Sequence, residues 1–411
     1  MMQTYVERVQ NAITDLRKGK MILLTDHHDR EDEADLIFPA ETITSDIINF
    51  MIRHGSGIIC LSLTQSQLKK LGLTYMVSPE ENTSPHQTPF TLSIEAKNGI
   101  TTGVSAKDRA TTILTAVKNN VTEKEITKPG HVFPLCAKEG GVLERPGHTE
   151  GSIDISLLAG FKPAAALCEL MNTDGTMAKG AQLKKFAKQH QLMILSIEDL
   201  IAYRKLEENL IAEHISAELP LDPYGIFQLT VIKEKINHME HIVLTKNKKS
   251  SKPPLIRIHS SCMTGDLFGS KRCDCHNQLH YSLQKISEEG GILIYLNQEG
   301  RGIGLFNKIK SYALQEKGFD TVEANEHLGL PIDSREYYIA AAWLKNRNMT
   351  HIRLLTNNPK KIAGLKKYGI ATIELEKIPV FCSEENKHYL KTKKEKLHHK
   401  IKMGDEHHVK C

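Results

Sequence analysis

Three closely spaced cysteines in the second half of the chain are its strongest chemical feature. Cys273 follows Cys262 after ten intervening residues, and Cys275 follows after one more. Residues i and i+2 of an extended segment face the same side, so three thiolates can converge on one ion. Zinc favours thiolates in a tetrahedron, and three protein ligands leave a fourth position for water, as in catalytic sites. A structural zinc completed by His259 or His276 is the alternative that spacing alone allows.

A dense group of charged residues in the first half offers a second candidate site. Between Asp26 and Asp35 the chain reads DHHDREDEAD, with six carboxylates and two histidines directly after an apolar run. A solvated, charged loop is one interpretation of this composition. The other is a hard-oxygen site for Mg²⁺ or Mn²⁺, because carboxylates bind these ions and α/β domains usually hold their sites in loops at the carboxyl ends of strands.

The elements that must position these residues follow from the hydrophobic pattern. The first half alternates strand-like apolar runs with helical patterns, beginning with MILLT from Met21 and GIICLSL from Gly57. The second half opens with the β-rich runs IFQLTVIK, HIVLTK and LIRIHS and continues as alternating helices and strands. The pattern predicts an α/β (α+β) protein with two domains, residues 1–204 and 205–411, each a mixed β-sheet core with flanking helices.

Two polar stretches lie outside these predicted cores. The helix-prone segment EDLIAYRKLEENLIAEH from Glu198 has no clear apolar face and marks the expected domain boundary near residue 205. The tail from Lys391 is rich in lysine and histidine without periodicity, which predicts a solvated and flexible end.

Composition excludes several classes of protein. An apolar share of 40% and a charged share of 25% are typical of globular chains. No run approaches the roughly 18 apolar residues of a membrane helix, and no signal peptide is evident, so a cytoplasmic protein without membrane contact is expected. In that reducing compartment the eight cysteines are interpreted as core residues or metal ligands. A formal charge of +5 suits phosphorylated substrates and predicts no nucleic-acid partner.

The motifs around the cysteines point to a family. RIHSSCMTGDLFGSKRCDC is followed in order by NQEGRGIGL, DTVEANEHLGLPIDSRE and LLTNNPKKI. This order closely resembles GTP cyclohydrolase II, from about Tyr224 to His398. The resemblance implies that GTP, accompanied by Mg²⁺, loses C8 of its imidazole ring as formate and also loses pyrophosphate, at a Zn²⁺ ion.

The same resemblance implies roles for individual residues. Cys262, Cys273 and Cys275 match the zinc ligands. The implied catalytic residues are Asp333 as general base, Arg335 as the group that attacks or clamps a phosphoryl group, and Tyr312 in the second hydrolytic step. The implied nucleotide contacts are Arg257, Gln278, Glu299, Arg301, Thr321, Thr356 and Lys361. The arginines and lysine among them are donors of the kind that a triphosphate requires.

The first half carries its own ordered set of motifs. RHGSGIICL, TTGVSAKDRATT, KPGHVFPL, RPGHTEGSIDISLLAGFKPAAALCEL and DGTMAKG follow the acid-rich segment. Their order resembles 3,4-dihydroxy-2-butanone 4-phosphate synthase, from about Val6 to Tyr203, which implies rearrangement of ribulose 5-phosphate at a divalent metal with loss of C4 as formate. The implied residues are the metal ligands Glu31 and His148, the proton-transfer residues His131 and Glu169, and the substrate contacts Arg30, Asp35, Arg145 and Thr149.

Both halves depart from the family patterns. His27 and His28 stand where family members usually have acidic residues, and Ala34 replaces a common glycine. Ser261 replaces the glutamate that usually precedes the first zinc cysteine, and Asn297 replaces a residue that is often basic or larger.

Three hypotheses follow from these patterns. The favoured one is a bifunctional, homodimeric enzyme that makes both starting compounds of riboflavin. In the second, only one of the two domains is catalytically active and the other is structural or regulatory. The third is a zinc-dependent nucleic-acid-binding protein, but the sequence has a single tryptophan and lacks aromatic platforms beside a basic stripe.

Overall fold

The computed structural model describes residues 4–397 and 399–400. The chain forms two units, and the division between them falls between Arg204 and Lys205. Each unit is built on one seven-stranded sheet with helices packed against it, so the predicted α/β class with two mixed-sheet cores is confirmed. Among the described helices, none has the length and apolar character needed to cross a membrane.

The first unit contains a mixed sheet. Its strands are β1 (Ile22–Thr25), β2 (Ala34–Pro39), β3 (Cys60–Thr64), β4 (Ile94–Ala96), β5 (Ile126–Ala137), β6 (Ala164–Glu169) and β7 (Met193–Ser196). They lie in the order β4-β5-β3-β6-β2-β1-β7. Its helices are α1 (Tyr5–Arg17), α2 (Ser45–Phe50), α3 (Gln65–Lys70), α4 (Ala106–Ala116), α5 (His148–Leu158), α6 (Ala181–His190) and α7 (Ile197–Glu207).

Both faces of this sheet are buried, which explains why its central strands are almost wholly apolar. Successive residues of a strand point to opposite faces, so Leu23 of β1 packs in one core cluster and Leu24 in the other. The first cluster includes Ile48 of α2, and the second includes Val9 of α1 and Ile155 of α5. The unit is therefore a layered α/β structure in which α5 lies directly over the strands that carry the acid-rich segment.

The second unit contains another mixed sheet. Its strands are β8 (Ile211–Leu221), β9 (Gly225–Glu234), β10 (Glu240–Lys246), β11 (Leu255–Ser260), β12 (Gly291–Leu296), β13 (His351–Leu355) and β14 (Thr372–Glu376), in the order β14-β13-β11-β12-β10-β9-β8. Its helices are α8 (Cys275–Glu289), α9 (Gly304–Gln315), α10 (Thr321–His327), α11 (Tyr338–Lys345), α12 (Pro359–Lys367) and α13 (Lys387–Glu395). Because β11 is parallel to β12 and β13, the carboxyl ends of these three strands lie at one edge.

The two polar stretches differ from their predicted structures. The helix at the boundary ends at Glu207, and the residues after it form β8, an edge strand whose side chains are mostly exposed. The flexible tail expected from Lys391 is a wrong prediction as far as residue 397, because these residues continue and follow α13 and bury Lys393 and Leu397. Residues 401–411 of that tail lie outside the described residues.

Candidate active sites

Asp26 organises the acid-rich segment between β1 and β2. Its buried carboxylate accepts hydrogen bonds from the backbone N–H groups of Glu31 (3.1 Å) and Glu33 (3.0 Å) and from the Arg30 side chain (2.8 Å). Hydrogen bonds to a buried carboxylate fix a loop because each lost bond would leave a buried group unsatisfied. The segment is therefore a structured turn, and the interpretation as a solvated loop is wrong for it.

The two predicted metal ligands of the first unit lie together. Oε2 of Glu31 is 3.4 Å from Nδ1 of His148, the first residue of α5. A carboxylate oxygen of Asp26 lies with these two groups, all within 4.8 Å of one another. The Nε2 atom of His148 is buried without a hydrogen-bond partner. Oxygen ligands with one imidazole suit Mg²⁺ or Mn²⁺, so the residues fit the implied metal.

Electrostatics in this group favour an ion pair when no metal is bound. Burial raises the pKa of Glu31, but the hydrogen bond with His148 and the charge of Arg30 outweigh it and lower that pKa to about 2. Burial lowers the pKa of His148, but the charge of Asp35 and the hydrogen bond with Glu31 raise it to about 9. A cation that binds here must therefore displace a proton from His148 at neutral pH.

Two predicted substrate contacts converge at the amino end of α5. A Cβ atom built on Gly147 would lie 2.4 Å from Nη1 of Arg145 and 3.1 Å from Nη2 of Arg30. Arg145 is held by a hydrogen bond to Glu150 at 2.8 Å, and Thr149 is buried in the first turn of the helix. Two guanidinium groups beside the backbone N–H groups of a helix amino terminus form a site that suits a phosphate.

Asp35 and Glu169 lie opposite each other in the antiparallel pair of β2 and β6. Burial and the charge of Glu169 raise the pKa of Asp35 to about 7, and Oδ1 of Asp35 is buried without a partner. Glu169 accepts a hydrogen bond from the backbone N–H of Ile58 at 2.8 Å. His131 lies apart from this group, half-exposed on β5 and hydrogen-bonded to Glu95. Its proton-transfer role stays a prediction.

The three cysteines of the second unit converge. Sγ of Cys262 is 3.7 Å from Sγ of Cys273, and the three sulfur atoms all lie within 4.8 Å of one another. A Cβ atom built on Gly265, in the turn between them, would lie 2.8 Å from the Cys273 sulfur and 3.1 Å from the Cys262 sulfur. Three mostly buried thiols in contact are a soft ligand set that fits zinc.

Neither histidine of the structural-zinc alternative joins this cluster among the described residues. The His259 ring is hydrogen-bonded to Asp266 at 3.0 Å and to Arg257 at 3.3 Å. Asp266 also accepts hydrogen bonds from the backbone N–H of Cys262 (2.9 Å) and from the Tyr295 hydroxyl (2.9 Å). His259 and Asp266 therefore hold the turn that carries the first cysteine.

Lys308 is a part of this site that no sequence motif indicated. Its buried Nζ atom donates hydrogen bonds to Sγ of Cys262 at 3.2 Å and to Glu299 at 2.7 Å. Hydrogen bonds from the neighbouring thiols of Cys273 and Cys275, together with the charge of Lys308, lower the pKa of Cys262 far below its usual range. The lysine thus stabilises the thiolate form of Cys262, which is the form that binds a metal ion.

A cavity of about 1130 Å³, which includes volume open to solvent, lies beside the thiols at the carboxyl ends of β11, β12 and β13. Ligands of α/β sheets usually bind at this edge. Nη1 and Nη2 of Arg301 are buried there without hydrogen-bond partners, which indicates an anionic ligand. Predicted residues that line the cavity are Arg257, Gln278, Glu299, Arg301, Tyr312, Thr321, Arg335, Thr356 and Lys361.

Asp333 lies beside this cavity rather than in its lining. Both of its carboxylate oxygens accept hydrogen bonds from Arg335, at 2.8 Å and 2.9 Å. Burial raises the pKa of Asp333, but these bonds and the Arg335 charge lower it to about 2. A carboxylate held in this way is a weak proton acceptor, so its role as general base stays a prediction and requires Arg335 to release it.

The departures from the family patterns have defined surroundings. The Ser261 hydroxyl accepts a hydrogen bond from the backbone N–H of Gln298 at 3.0 Å, and so holds the loop that carries Glu299 and Arg301. His27 and His28 lie on the exposed part of the acid-rich turn beside Asp29.

More of the cavity wall was missed at the sequence level. Its lining also includes Tyr389, Lys393, Leu397 and His399, which belong to α13 and the residues after it. A stretch dominated by lysine and histidine has no periodic pattern that would separate buried from exposed positions, so the sequence offered no signal for it.

Comparison with known proteins identifies the family of each unit. Residues 10–203 match the family model of 3,4-dihydroxy-2-butanone 4-phosphate synthase, and residues 212–377 match that of GTP cyclohydrolase II. The riboflavin biosynthesis protein RibBA of Bacillus cereus (strain B4264) is 48% identical over 398 residues, which is 96% of this chain and 99% of the relative. RibBA of Aquifex aeolicus (strain VF5) is 48% identical over 396 residues, 95% of this chain and 97% of the relative.

The fold has a counterpart among solved structures. RibBX from A. baumannii, a two-domain 3,4-dihydroxy-2-butanone 4-phosphate synthase, matches with a TM-score of 0.67 and 31% identity over 90% of this chain and 99% of that chain. The relatives and the two family models agree along nearly the whole sequence. The chain therefore belongs to the family of bifunctional riboflavin biosynthesis enzymes that join a 3,4-dihydroxy-2-butanone 4-phosphate synthase domain to a GTP cyclohydrolase II domain.

Proposed function

We propose that the first unit converts D-ribulose 5-phosphate to L-3,4-dihydroxy-2-butanone 4-phosphate and formate. We propose that the second unit hydrolyses GTP to 2,5-diamino-6-(5-phosphoribosylamino)pyrimidin-4(3H)-one, formate and pyrophosphate. One observation carries both proposals: each unit holds a buried set of metal-binding side chains next to arginines suited to phosphate.

In the first unit, Glu31 and His148 would hold Mg²⁺ or Mn²⁺, which supplies a Lewis acid for the oxygens of a ketose. Arg30 and Arg145, with the amino end of α5, would bind the phosphate and so fix the sugar relative to the metal ligands. Enolisation needs a group that gives and takes a proton near neutral pH. His131 and Glu169 are the residues proposed for that task, and Asp35, which lies opposite Glu169 and has a pKa raised to about 7, would contact the substrate.

In the second unit, the three cysteines would hold Zn²⁺, which supplies a Lewis acid that makes water nucleophilic at neutral pH. Arg301, Arg335 and Lys361 would bind the triphosphate with its Mg²⁺. The buried Arg257 and its partner Gln278, joined by a 2.9 Å hydrogen bond, would orient the nucleotide from the side of the cavity formed by β11 and α8. The remaining proposed contacts are Glu299, Thr321 and Thr356, with Tyr312 in the second hydrolytic step.

We also propose a cytoplasmic homodimer that acts on these two small molecules and has no nucleic-acid partner. Support for the dimer comes from large apolar side chains that the second unit exposes, including Leu267 (70% exposed), Phe268 (74%) and Phe306 (74%). Clustered exposed apolar side chains are typical of protein interfaces. Sedimentation of the purified protein, compared with a Phe306→Asp variant, tests the dimer.

Formate release tests the two activities together. Purified protein is incubated with ribulose 5-phosphate and Mg²⁺, and separately with GTP, Mg²⁺ and Zn²⁺, and formate is measured in each. We expect formate from both substrates. His148→Ala should abolish only the first reaction and Cys273→Ser only the second, so each variant controls for the folding of the other. If folded, metal-loaded protein releases no formate from either substrate, the proposal is contradicted. Formate from only one substrate would support the alternative in which a single domain is active.

A further inference from the structure

Helix α13 and the residues after it form one wall of the cavity in the second unit. Lys393 is 8% exposed, and Leu390 and Leu397 are 0% and 5% exposed. This segment is therefore packed against the rest of the second unit. The match to the GTP cyclohydrolase II model ends at residue 377, before this segment begins. The wall therefore lies beyond the residues that this family model matches.

Lys393 connects this wall to the cysteine cluster. Its Nζ atom donates a 2.7 Å hydrogen bond to Oδ1 of Asp274. Asp274 stands between Cys273 and Cys275 in the sequence and is itself only 2% exposed. A buried carboxylate needs a compensating charge, and Lys393 supplies it from 119 residues away. Without the lysine, the residue between two zinc-binding positions would carry an uncompensated buried charge.

A chain of hydrogen bonds continues from Asp274 to the floor of the cavity. Nε2 of Gln278 donates to Oδ2 of Asp274 at 2.6 Å, and Oε1 of Gln278 accepts from Nη2 of Arg257 at 2.9 Å. Nη1 of Arg257 donates to the carbonyl of Leu355 at 3.1 Å. Asp274 thereby fixes which way the amide of Gln278 faces, and that amide in turn orients the Arg257 guanidinium.

The same helix also approaches the anion-binding side of the cavity. The centre of the Tyr389 ring is 4.5 Å from Nζ of Lys393 and 5.9 Å from the guanidinium carbon of Arg301. The two terminal nitrogens of Arg301 are the buried donors without partners. Helix α13 therefore lies close to Arg301, whose unpaired guanidinium nitrogens indicate an anion-binding position.

We propose that Lys393 is a positioning residue of the nucleotide site: it holds Asp274, fixes Gln278 and Arg257 through it, and keeps α13 closed against the cavity. This inference rests on the proposed GTP hydrolysis at the same site. Lys393 acts through other side chains, so its loss should weaken GTP binding more than it slows the chemical step.

The test uses Lys393→Met in the full chain, because methionine keeps much of the length and removes the charge. We expect the KM for GTP, and the Kd for a non-hydrolysable GTP analogue, to rise about tenfold or more, in line with other residues that orient ligand-binding groups, while kcat falls less than KM rises. Lys394→Met is the matched control, since Lys394 is exposed on the same helix. Lys394→Met should change the KM for GTP and the Kd for the analogue less than twofold.

A Kd for the analogue that is unchanged in Lys393→Met would overturn the inference alone, whereas an unsubstituted protein that binds no GTP would overturn the proposed function as well. Circular dichroism and thermal unfolding of the variant report whether its second unit is folded. If Lys393→Met does not fold, Lys393→Gln, Asp274→Asn and the double variant Asp274→Asn, Lys393→Gln replace it. Effects on analogue binding that are smaller together than the sum of the single effects support the coupling, and additive effects contradict it.

Discussion

The Nζ atom of Lys308 lies 3.2 Å from the sulfur of Cys262 and 2.7 Å from a carboxylate oxygen of Glu299. Three thiolates and one Zn²⁺ ion carry a net charge of about −1, since each thiolate contributes one negative charge. The buried ammonium offsets this charge and at the same time fixes Glu299, a predicted nucleotide contact. One side chain therefore connects the three-cysteine cluster to the cavity beside it.

Lys308→Met should weaken zinc binding. The substitution leaves the Cys262 thiolate and Glu299 without their shared cation, and residues that support metal ligands typically change affinity by about 10- to 100-fold. Competition with a chromogenic chelator measures the effect. Lys310→Met, an exposed lysine on the same helix, is the control. Equal zinc affinities for the two variants would contradict the role given to Lys308.

Local patterns explain which strands the sequence predicts. Strand β1 is an apolar run and β3 is interrupted only by Ser62, so composition predicts that both strands are buried on both faces. Strand β2 is also wholly buried, but Asp35 interrupts its apolar run and the acidic residues before it suggest a loop. Strand β8 exposes most of its side chains at the sheet edge, so no hydrophobic alternation distinguishes it from a polar helix.

The candidate sites divide in a similar way. Residues such as Cys273 and His148 lie in contiguous motifs, so the family resemblance could locate them. Lys308 and Lys393 could not be found, because a lysine on an amphipathic helix normally faces solvent. Their burial depends on partners 46 and 119 residues away in the chain. Only the folded arrangement brings those partners into contact.

Gly265→Ala should disturb the zinc site sterically. The new Cβ would lie 2.8 Å from the Cys273 sulfur and 3.0 Å from Cβ of Cys275, so the thiols must move apart. We expect roughly tenfold weaker zinc binding, with formate release from ribulose 5-phosphate unchanged. Gly269→Ala is the comparison, since its Cβ meets nothing within 4 Å but its φ of +62° strains alanine. Intact zinc affinity in Gly265→Ala would contradict the observed crowding.

Metal binding in the first unit should release a proton. The pKa of His148 is about 9 without metal, and a metal ligand must be neutral, so below pH 9 protons compete with the ion. The apparent affinity for Mn²⁺ should rise about tenfold per pH unit up to about pH 9 and then level off. Titration calorimetry near pH 7.5 in buffers of different ionisation enthalpy measures the proton count.

Cys273→Ser protein serves for that titration, because it removes the thiol cluster and leaves the Glu31–His148 pair intact. About one proton should be released for each ion bound. A heat of binding that is independent of the buffer, or an affinity that is constant between pH 7 and pH 9, would show that His148 is not the titrating ligand.

Asp333 provides a test of whether GTP binding rearranges the site. Arg335 lowers the pKa of Asp333 to about 2, so the carboxylate is ionised in the free protein at any usable pH. If phosphates draw Arg335 away, that pKa rises, since burial then acts without the opposing charge. A base works only when deprotonated, so activity is lost as pH falls through its pKa. The acidic limb of kcat, which reports the bound complex, should therefore lie at higher pH than that of kcat/KM. Asp333→Asn should lose formate release from GTP. If the acidic limbs of kcat and kcat/KM lie at the same pH, Arg335 keeps Asp333 paired throughout the reaction, which contradicts the prediction.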